Sequence, residues 1–139
     1  MRFPYSRTAA LPQFMAGKPL VPMSLYHAGY EYTWPALVDS GATFSVLPYD
    51  MGLQLGFVWG EHAEPFPLGG IYKNMQAIMV LVRGEITGLP PMALGFAWVE
   101  KSSDDVRLIL GQTNFFQRFK VTFEAYREAF DISPIPPEH

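Results

Sequence analysis

The stretch that decides the fold is Ala36-Leu37-Val38-Asp39-Ser40-Gly41-Ala42-Thr43. Its three apolar residues predict a buried strand, and Asp39 leaves the end of that strand. Ser40 and Gly41 are typical of a tight turn, which can hold a carboxylate against backbone N–H donors. This order points to an aspartic peptidase, in which two carboxylates act on one water molecule. Because the chain has one such run, two chains must meet to complete one site.

The composition of the 139-residue chain indicates a single packed domain built from strands. Hydrophobic residues make up 49% of the chain and aromatic residues 15%, more than a disordered chain would carry. The thirteen prolines and twelve glycines supply many turns, and few long helical patterns occur between them. We therefore expect an all-β domain, with apolar surface left over for an interface.

Charge and residue usage exclude several classes of function. The net charge is −3 and the ten Lys and Arg residues are scattered, so nucleic acid is not an expected partner. The absence of cysteine excludes disulfides and zinc–thiolate sites, and His27 and His62 have no companion ligands at metal-binding spacing. No apolar run has the length of a signal peptide or a membrane helix. We expect a cytoplasmic protein that needs no metal, cofactor or membrane.

The strands before and after Asp39 can be predicted along most of the chain. Val21–Leu25 and Tyr30–Val38 form a hairpin around the turn His27-Ala28-Gly29, and the second strand ends at Asp39. Further strands are predicted over Phe44–Leu47, Asn74–Arg83, Met92–Val99, Arg107–Leu110, Val121–Phe123 and Phe130–Ile132.

Two short helical segments and one mobile hairpin interrupt these strands. Residues 48–56 predict a helical turn that ends at a glycine. Thr113 or Asn114 can cap a short helix whose phenylalanines at positions 115, 116 and 119 point inward. The run Leu68-Gly69-Gly70-Ile71 suits the tip of a hairpin.

A second informative run, Ile109-Leu110-Gly111, is an apolar pair followed by glycine and then the short helix. Together with Leu37-Val38-Asp39-Ser40-Gly41-Ala42, it resembles the retropepsin family of single-lobe, dimeric aspartic proteases, in its bacterial form. The resemblance covers residues 20–132. It implies an all-β fold, a small closed β-barrel with one short C-terminal helix, between an N-terminal arm (1–19) and a Pro-rich tail (133–139).

The resemblance also implies an activity and a set of site residues. The chain would be an aspartic endopeptidase active as a homodimer on extended peptide or protein substrates, with Asp39, Ser40 and Gly41 as the catalytic turn. Ser40 would bond to the partner's backbone, and Gly41 would let the substrate approach closely. The positions that match substrate-binding positions of the family are Ala42, Phe44, Val46 and Ile109 in the pockets and Leu68, Gly69, Gly70 and Ile71 in the flap.

The chain departs from the viral pattern at two positions. Viral relatives carry an acid and an arginine where this sequence has Thr43 and Gln112, and those charges pair near the dimer interface. A neutral contact between Thr43 and Gln112 could replace that pair. The alternative interpretation is a catalytically inactive dimeric binding or assembly module with the same fold. A simpler one takes Asp39-Ser40-Gly41 as an ordinary turn, with the three tryptophans as core or interface residues.

Overall fold

The computed structural model of the chain describes residues 1–60, 64–69, 75–101 and 106–136, and this part is mostly β-structure. Its strands are β1 (Arg2–Pro4), β2 (Leu20–His27), β3 (Tyr30–Val38), β4 (Val46–Leu47), β5 (Phe66–Leu68), β6 (Met75–Glu85), β7 (Met92–Val99), β8 (Ile109–Leu110), β9 (Phe119–Glu124) and β10 (Ala129–Pro134). Its helices are α1 (Tyr49–Gln54), α2 (Phe115–Arg118) and a 3₁₀ turn (Ala125–Arg127).

Six strands close into a β-barrel. The larger sheet has the order β2-β3-β8-β4-β7-β6-β5, and β2 also pairs with β6 through Leu25 and Gly84. This second pairing joins the two sides of the sheet, so that the barrel has no open edge between β2 and β6. The prediction of an all-β closed barrel is therefore confirmed. Besides the predicted C-terminal helix α2, the described residues include α1, where the sequence predicts a helical turn.

The hairpin of β2 and β3 delivers the Asp39 turn to one end of the barrel. Ala28 and Gly29 form its two-residue turn with φ angles of 49° and 84°. Positive φ at both positions gives the turn a twist that matches the flanking strands, and glycine adopts it without strain. The strand predicted over Tyr30–Val38 is confirmed residue for residue.

The barrel interior is a dense apolar core. Its largest fully buried side chains include those of Trp98, Phe96 and Phe115, so each of these rings fills interior volume. The indole of Trp98 donates to the backbone carbonyl of Tyr49 at 3.1 Å, which satisfies the buried N–H and fixes α1 against β7. The interpretation of Trp98 as a core residue is confirmed.

A smaller sheet, with the order β1-β10-β9, packs beside the barrel. The rings of Phe3, Phe130 and Phe123 form a row across it, with centroid distances of 5.5 and 6.2 Å. Phe130 belongs to the core, so this row joins the small sheet to the barrel. The N-terminal arm therefore contacts its own chain through β1, where the sequence indicates only extended structure. No helix in the described part of the chain is long and apolar enough to cross a membrane.

Candidate functional site

Asp39 lies where β3 leaves the barrel, beside the short parallel strand β8. Leu37 pairs with Ile109 and Val38 pairs with Leu110. The backbone N–H of Asp39 then donates to the carbonyl of Leu110 at 3.0 Å, which continues the pairing by one residue. The run that contains Asp39 and the run Ile109-Leu110-Gly111 are therefore neighbours in space. They are far apart in sequence, since 72 positions separate Ser40 from Gln112.

The turn after Asp39 holds its carboxylate by a local hydrogen bond. The N–H of Gly41 donates to Asp39 Oδ1 at 2.9 Å, and the N–H of Ala42 donates to the Asp39 carbonyl at 3.2 Å. Asp39 is partly exposed, whereas Ser40 and Gly41 are exposed. The sequence prediction that the turn sets the acid against backbone donors is confirmed, and the acid remains accessible from outside.

Gln112 ties this turn to the segment that follows β8. Its side-chain Nε2 donates to the Ser40 carbonyl at 2.6 Å, and its backbone N–H donates to the Ala42 carbonyl at 2.8 Å. Thr43 is linked through its carbonyl, which accepts from the N–H of Thr113 at 2.9 Å. Within one chain Gln112 thus supports the Asp39 turn directly. This role of Gln112 was not predicted from the sequence, where Gln112 stands only as a neutral partner of Thr43.

A buried hydroxyl, that of Ser45, connects the segment after the Asp39 turn to the segment after β8. Ser45 is 1% exposed, and its Oγ accepts the N–H of Gly111 at 3.0 Å. A Cβ atom at Gly111 would lie 2.5 Å from the Phe44 carbonyl oxygen and 2.8 Å from the Ala42 oxygen. Both oxygens belong to backbone, which cannot rotate aside, so close approach requires glycine here. Ser45 was missed, although it interrupts the apolar run Phe44–Leu47.

Five of the eight predicted substrate-binding residues form one apolar wall beside the turn. They are Ala42, Phe44, Val46, Leu68 and Ile109, which all belong to or pack against the same cluster. Val46, Leu68 and Ile109 are buried, whereas Ala42 and Phe44 are partly exposed. The wall lies on the opposite face of the sheet from the barrel core, because successive residues such as Ile109 and Leu110 point to opposite sides.

The hairpin predicted around Leu68-Gly69-Gly70-Ile71 has its two strands, β5 and β6, paired next to the predicted tip. Leu68 of β5 pairs with Met75 of β6, and Phe66 pairs with Ala77. The ring of Phe66 lies 5.6 Å from that of Phe44, so this hairpin packs against the apolar wall. Gly69 is exposed at the end of β5, while Gly70 and Ile71 lie outside the described residues.

Other candidate side chains serve structure. His27 donates through Nδ1 to the Leu55 carbonyl at 2.8 Å and stacks on Phe57 with centroids 3.9 Å apart. Trp34 stacks on Tyr32, and His62 lies outside the described residues. Among the residues that the structure describes, no cluster of three or more His, Asp or Glu side chains is placed to hold a metal ion.

Among the described residues, two carboxylates with shifted pKa values, those of Glu124 and Glu128, lie at or next to the smaller sheet. A hydrogen bond from the Gly17 N–H, followed by one from Arg7, lowers the pKa of Glu128. Hydrogen bonds from Arg2 and then Tyr126 lower the pKa of Glu124. These groups hold the N-terminal residues against the C-terminal hairpin and are separate from the Asp39 turn.

No protein-family model matches this chain, and no curated protein matches it. The geometry of the site is therefore the basis for its function. That geometry consists of an accessible carboxylate in a braced turn, an adjacent apolar wall, and a hairpin that packs on the wall.

Proposed function

We propose that the chain is an aspartic endopeptidase of the retropepsin type, active as a homodimer that hydrolyses peptide bonds in extended substrates. The observation that carries the proposal is the joining of the Asp39 turn to the end of β8, where the Asp39 N–H bonds to the Leu110 carbonyl and Gln112 bonds to the turn. An ordinary surface turn needs no such support. Gln112 bonds to the carbonyls of Ser40 and Ala42, on either side of Gly41, so the turn that orients the acid is held by the segment after β8.

Two such turns, related by a two-fold axis, would form the catalytic pair. Carboxylates about 3 Å apart cannot both ionise, so the two Asp39 side chains would share one proton. The ionised partner would take a proton from a bound water molecule, and the protonated partner would polarise the substrate carbonyl. The water oxygen would add to the carbonyl carbon while the protonated partner gives its proton to the carbonyl oxygen, which forms a gem-diol. The Asp39 that took the water proton would then give it to the leaving nitrogen as the C–N bond breaks, and a gem-diol hydroxyl would return a proton to the other Asp39. The reaction needs only the two carboxylates and water.

The surroundings of Asp39 support an extended, apolar substrate. Phe44 and Ala42 are the partly exposed members of the apolar wall, and they follow the catalytic turn directly. An extended peptide would bind by backbone hydrogen bonds, with alternate side chains facing this wall. The hairpin of β5 and β6 packs on this wall through Phe66, so the peptide would lie along the part of the wall that Ala42 and Phe44 leave partly exposed. We expect cleavage next to hydrophobic residues.

The alternative is a dimeric binding module that keeps the fold without peptidase activity. It is favoured by the neutral residues Thr43 and Gln112, which stand where viral relatives carry the charge pair near the dimer interface. In that case the wall beside Asp39 would still bind apolar segments, and peptide cleavage would be absent from a dimeric preparation.

A subunit-mixing experiment tests the proposal. Wild type would be mixed with Asp39→Asn, which preserves shape and removes the ionisable group, and cleavage of a peptide library would be followed from about pH 4 to 7. If each site needs two copies of Asp39, an equal mixture that re-equilibrates gives about one quarter of the wild-type activity. A site complete in one chain gives one half.

The matched control is Asp50→Asn, which changes an exposed aspartate on α1. Mixtures with this variant should keep full activity. Cleavage by Asp39→Asn alone would refute the proposal, and so would an inert wild type whose solution mass is that of a dimer. The second result would favour the binding module.

A further inference from the structure

The N-terminal segment contains a closed loop of residues 7–17, here called the arm loop. Ser6 and Lys18 close its base by two backbone hydrogen bonds of 2.7 and 2.9 Å. Inside it, the N–H of Leu11 bonds to the Thr8 carbonyl and the N–H of Met15 bonds to the Pro12 carbonyl. The arm loop is therefore two successive turns on a fixed base.

Arg7 and Glu128 fix the shape of the arm loop. The Arg7 guanidinium donates to the carbonyls of Met15 at 2.6 Å and Pro12 at 3.0 Å. It also pairs with Glu128 at 2.5 Å, and Glu128 accepts the N–H of Gly17 at 2.8 Å. Because one cation gathers two carbonyls and is itself held by the C-terminal hairpin, the loop is ordered before any partner arrives.

The arm loop presents apolar side chains to solvent. Phe14 is 88% exposed and Met15 is 46% exposed. The nine residues Thr8–Ala16 contain no charged side chain. An exposed aromatic ring on a preordered loop is typical of the residues that dominate protein–protein contacts.

A cavity of about 190 Å³ lies next to the base of the same loop. Its lining includes Ser6, Leu20, Pro22, Thr33, Trp34 and Pro35. This lining carries no charge, and Ser6 is shared with the base of the arm loop. An apolar cavity of about 150 Å³ accepts a benzene ring, so this one is large enough for a phenylalanine ring.

We propose that Phe14 of one chain inserts into this cavity of a second copy, and that the exchange is reciprocal. A protruding ring and a cavity on one surface are self-complementary under a two-fold axis, which lets each chain both give and receive the contact. The inference rests on the homodimer of the proposed function and names the contact that holds it together. This contact would stabilise the dimer in place of the charge pair that viral relatives have where this chain has Thr43 and Gln112.

The position of the arm loop fits this role. Its base at Lys18 is followed by Pro19, whose carbonyl accepts the N–H of Val38 at 3.0 Å, one residue before Asp39. The arm loop is therefore joined through Pro19 to the strand residue that directly precedes Asp39. A lipid surface is a poorer occupant, because membrane-surface segments combine apolar residues with basic ones that reach anionic headgroups, whereas residues 8–16 carry no charge and the guanidinium of Arg7 is bound by Glu128 and two carbonyls.

Exchange of charge across the contact provides the test. Phe14→Lys should raise the dimer dissociation constant by about 30-fold or more, as for an aromatic hot spot. Thr33→Glu, which places an acid at the exposed rim of the cavity, should also weaken the dimer. The dimer dissociation constant of the double variant should be at least about tenfold lower than that of Phe14→Lys alone, because the two new charges then face each other across the interface. Sedimentation equilibrium measures each constant.

The control is Leu81→Lys, which replaces a 66% exposed leucine on β6 and should leave the dimer unchanged. Far-UV circular dichroism establishes that every variant is folded. A folded Phe14→Lys chain with wild-type dimer strength would overturn the inference, as would a monomeric wild type, an open polymer, or a wild type that remains monomeric and binds lipid vesicles. These readouts need no catalysis, so a dimer that fails to cleave peptides would overturn the proposed function alone.

Discussion

Gly111 donates its backbone N–H to the hydroxyl of Ser45 at 3.0 Å, in the buried layer beneath the Asp39 turn. The bond joins the segment after β8 to the segment before β4, and both segments flank the turn that carries the acid. Ser45 also accepts the N–H of Ala97 on its backbone carbonyl at 2.8 Å, which extends the connection to β7. The orientation of Asp39 therefore depends on a polar contact inside the barrel wall.

Replacement of Ser45 by alanine should lower the free energy of unfolding by about 1–3 kcal/mol, since the Gly111 N–H would be buried without an acceptor. Urea unfolding measures the change. Ser24→Ala, which removes a hydroxyl on β2 outside the buried core, is the matched control and should cost less than about 0.5 kcal/mol. Equal losses for the two variants would contradict the importance of the buried bond.

Replacement of Gly111 by alanine should destabilise the fold by at least about 2 kcal/mol, because the new methyl group would meet the Phe44 and Ala42 carbonyl oxygens. The midpoint of urea unfolding reports this loss. At Gly69 no heavy atom lies within 4 Å of a built Cβ, so Gly69→Ala provides the control for an added methyl group. A Gly111→Ala protein as stable as wild type would show that the two segments can separate at little cost.

Gln112 should affect turnover more than it affects stability. Gln112→Glu removes the donor to the Ser40 carbonyl and places a negative charge against it, so the Asp39 turn should shift. If the proposed activity holds, kcat should fall by about tenfold or more, as expected for a misplaced catalytic group. Gln112→Arg keeps a donor and should retain more activity. Steady-state kinetics separate kcat from KM, and a loss confined to KM would argue against the bracing role.

The Glu128 contacts should make stability depend on pH. Its pKa in the folded chain is lowered from the ordinary 4.5, first by the Gly17 N–H and then by Arg7. The stabilisation is therefore fully present above about pH 4.5 and is lost as the pH falls through the folded-state value. Glu128→Gln should have a lower Tm than wild type at neutral pH, and the two should converge in acid. Glu64→Gln is the control, and a constant gap across the pH range would contradict the linkage.

The bounds of two of the long strands could be predicted from the sequence, because the residues that define each of these strands are close together in the chain. Tyr30–Val38 and Met92–Val99 have the bounds that the sequence predicts, because apolar runs bounded by turn residues decide them. β4 and β8 are only two residues each. Their lengths depend on neighbours distant in sequence, so the predicted strands there are too long. β1 was not predicted as a strand, because three residues that include a proline become one only by pairing with β10.

Within the candidate site, the Asp39 turn could be predicted from the sequence, whereas the residues that hold the turn in place could not. Asp39 and Gly41 carry their roles in the local sequence, since a carboxylate and a glycine two residues apart can form the observed bond. The roles of Ser45 and Gln112 arise only when β8 lies between β3 and β4. A hydroxyl inside an apolar run was the signal for Ser45, and nothing local distinguishes Gln112 from any exposed glutamine.

The parallel pairing of β3 with β8 also has a consequence for how the molecule is made. The residues that orient Asp39 are separated from it by about half of the chain, with Gln112 lying 72 positions beyond Ser40. Pairings of this range are slow to form, because closing so long a loop costs chain entropy before the contacts can compensate. The acid is therefore expected to remain loosely held through most of folding. Its final orientation requires β8 to be paired with β3, since Asp39 and Gln112 meet only through that pairing.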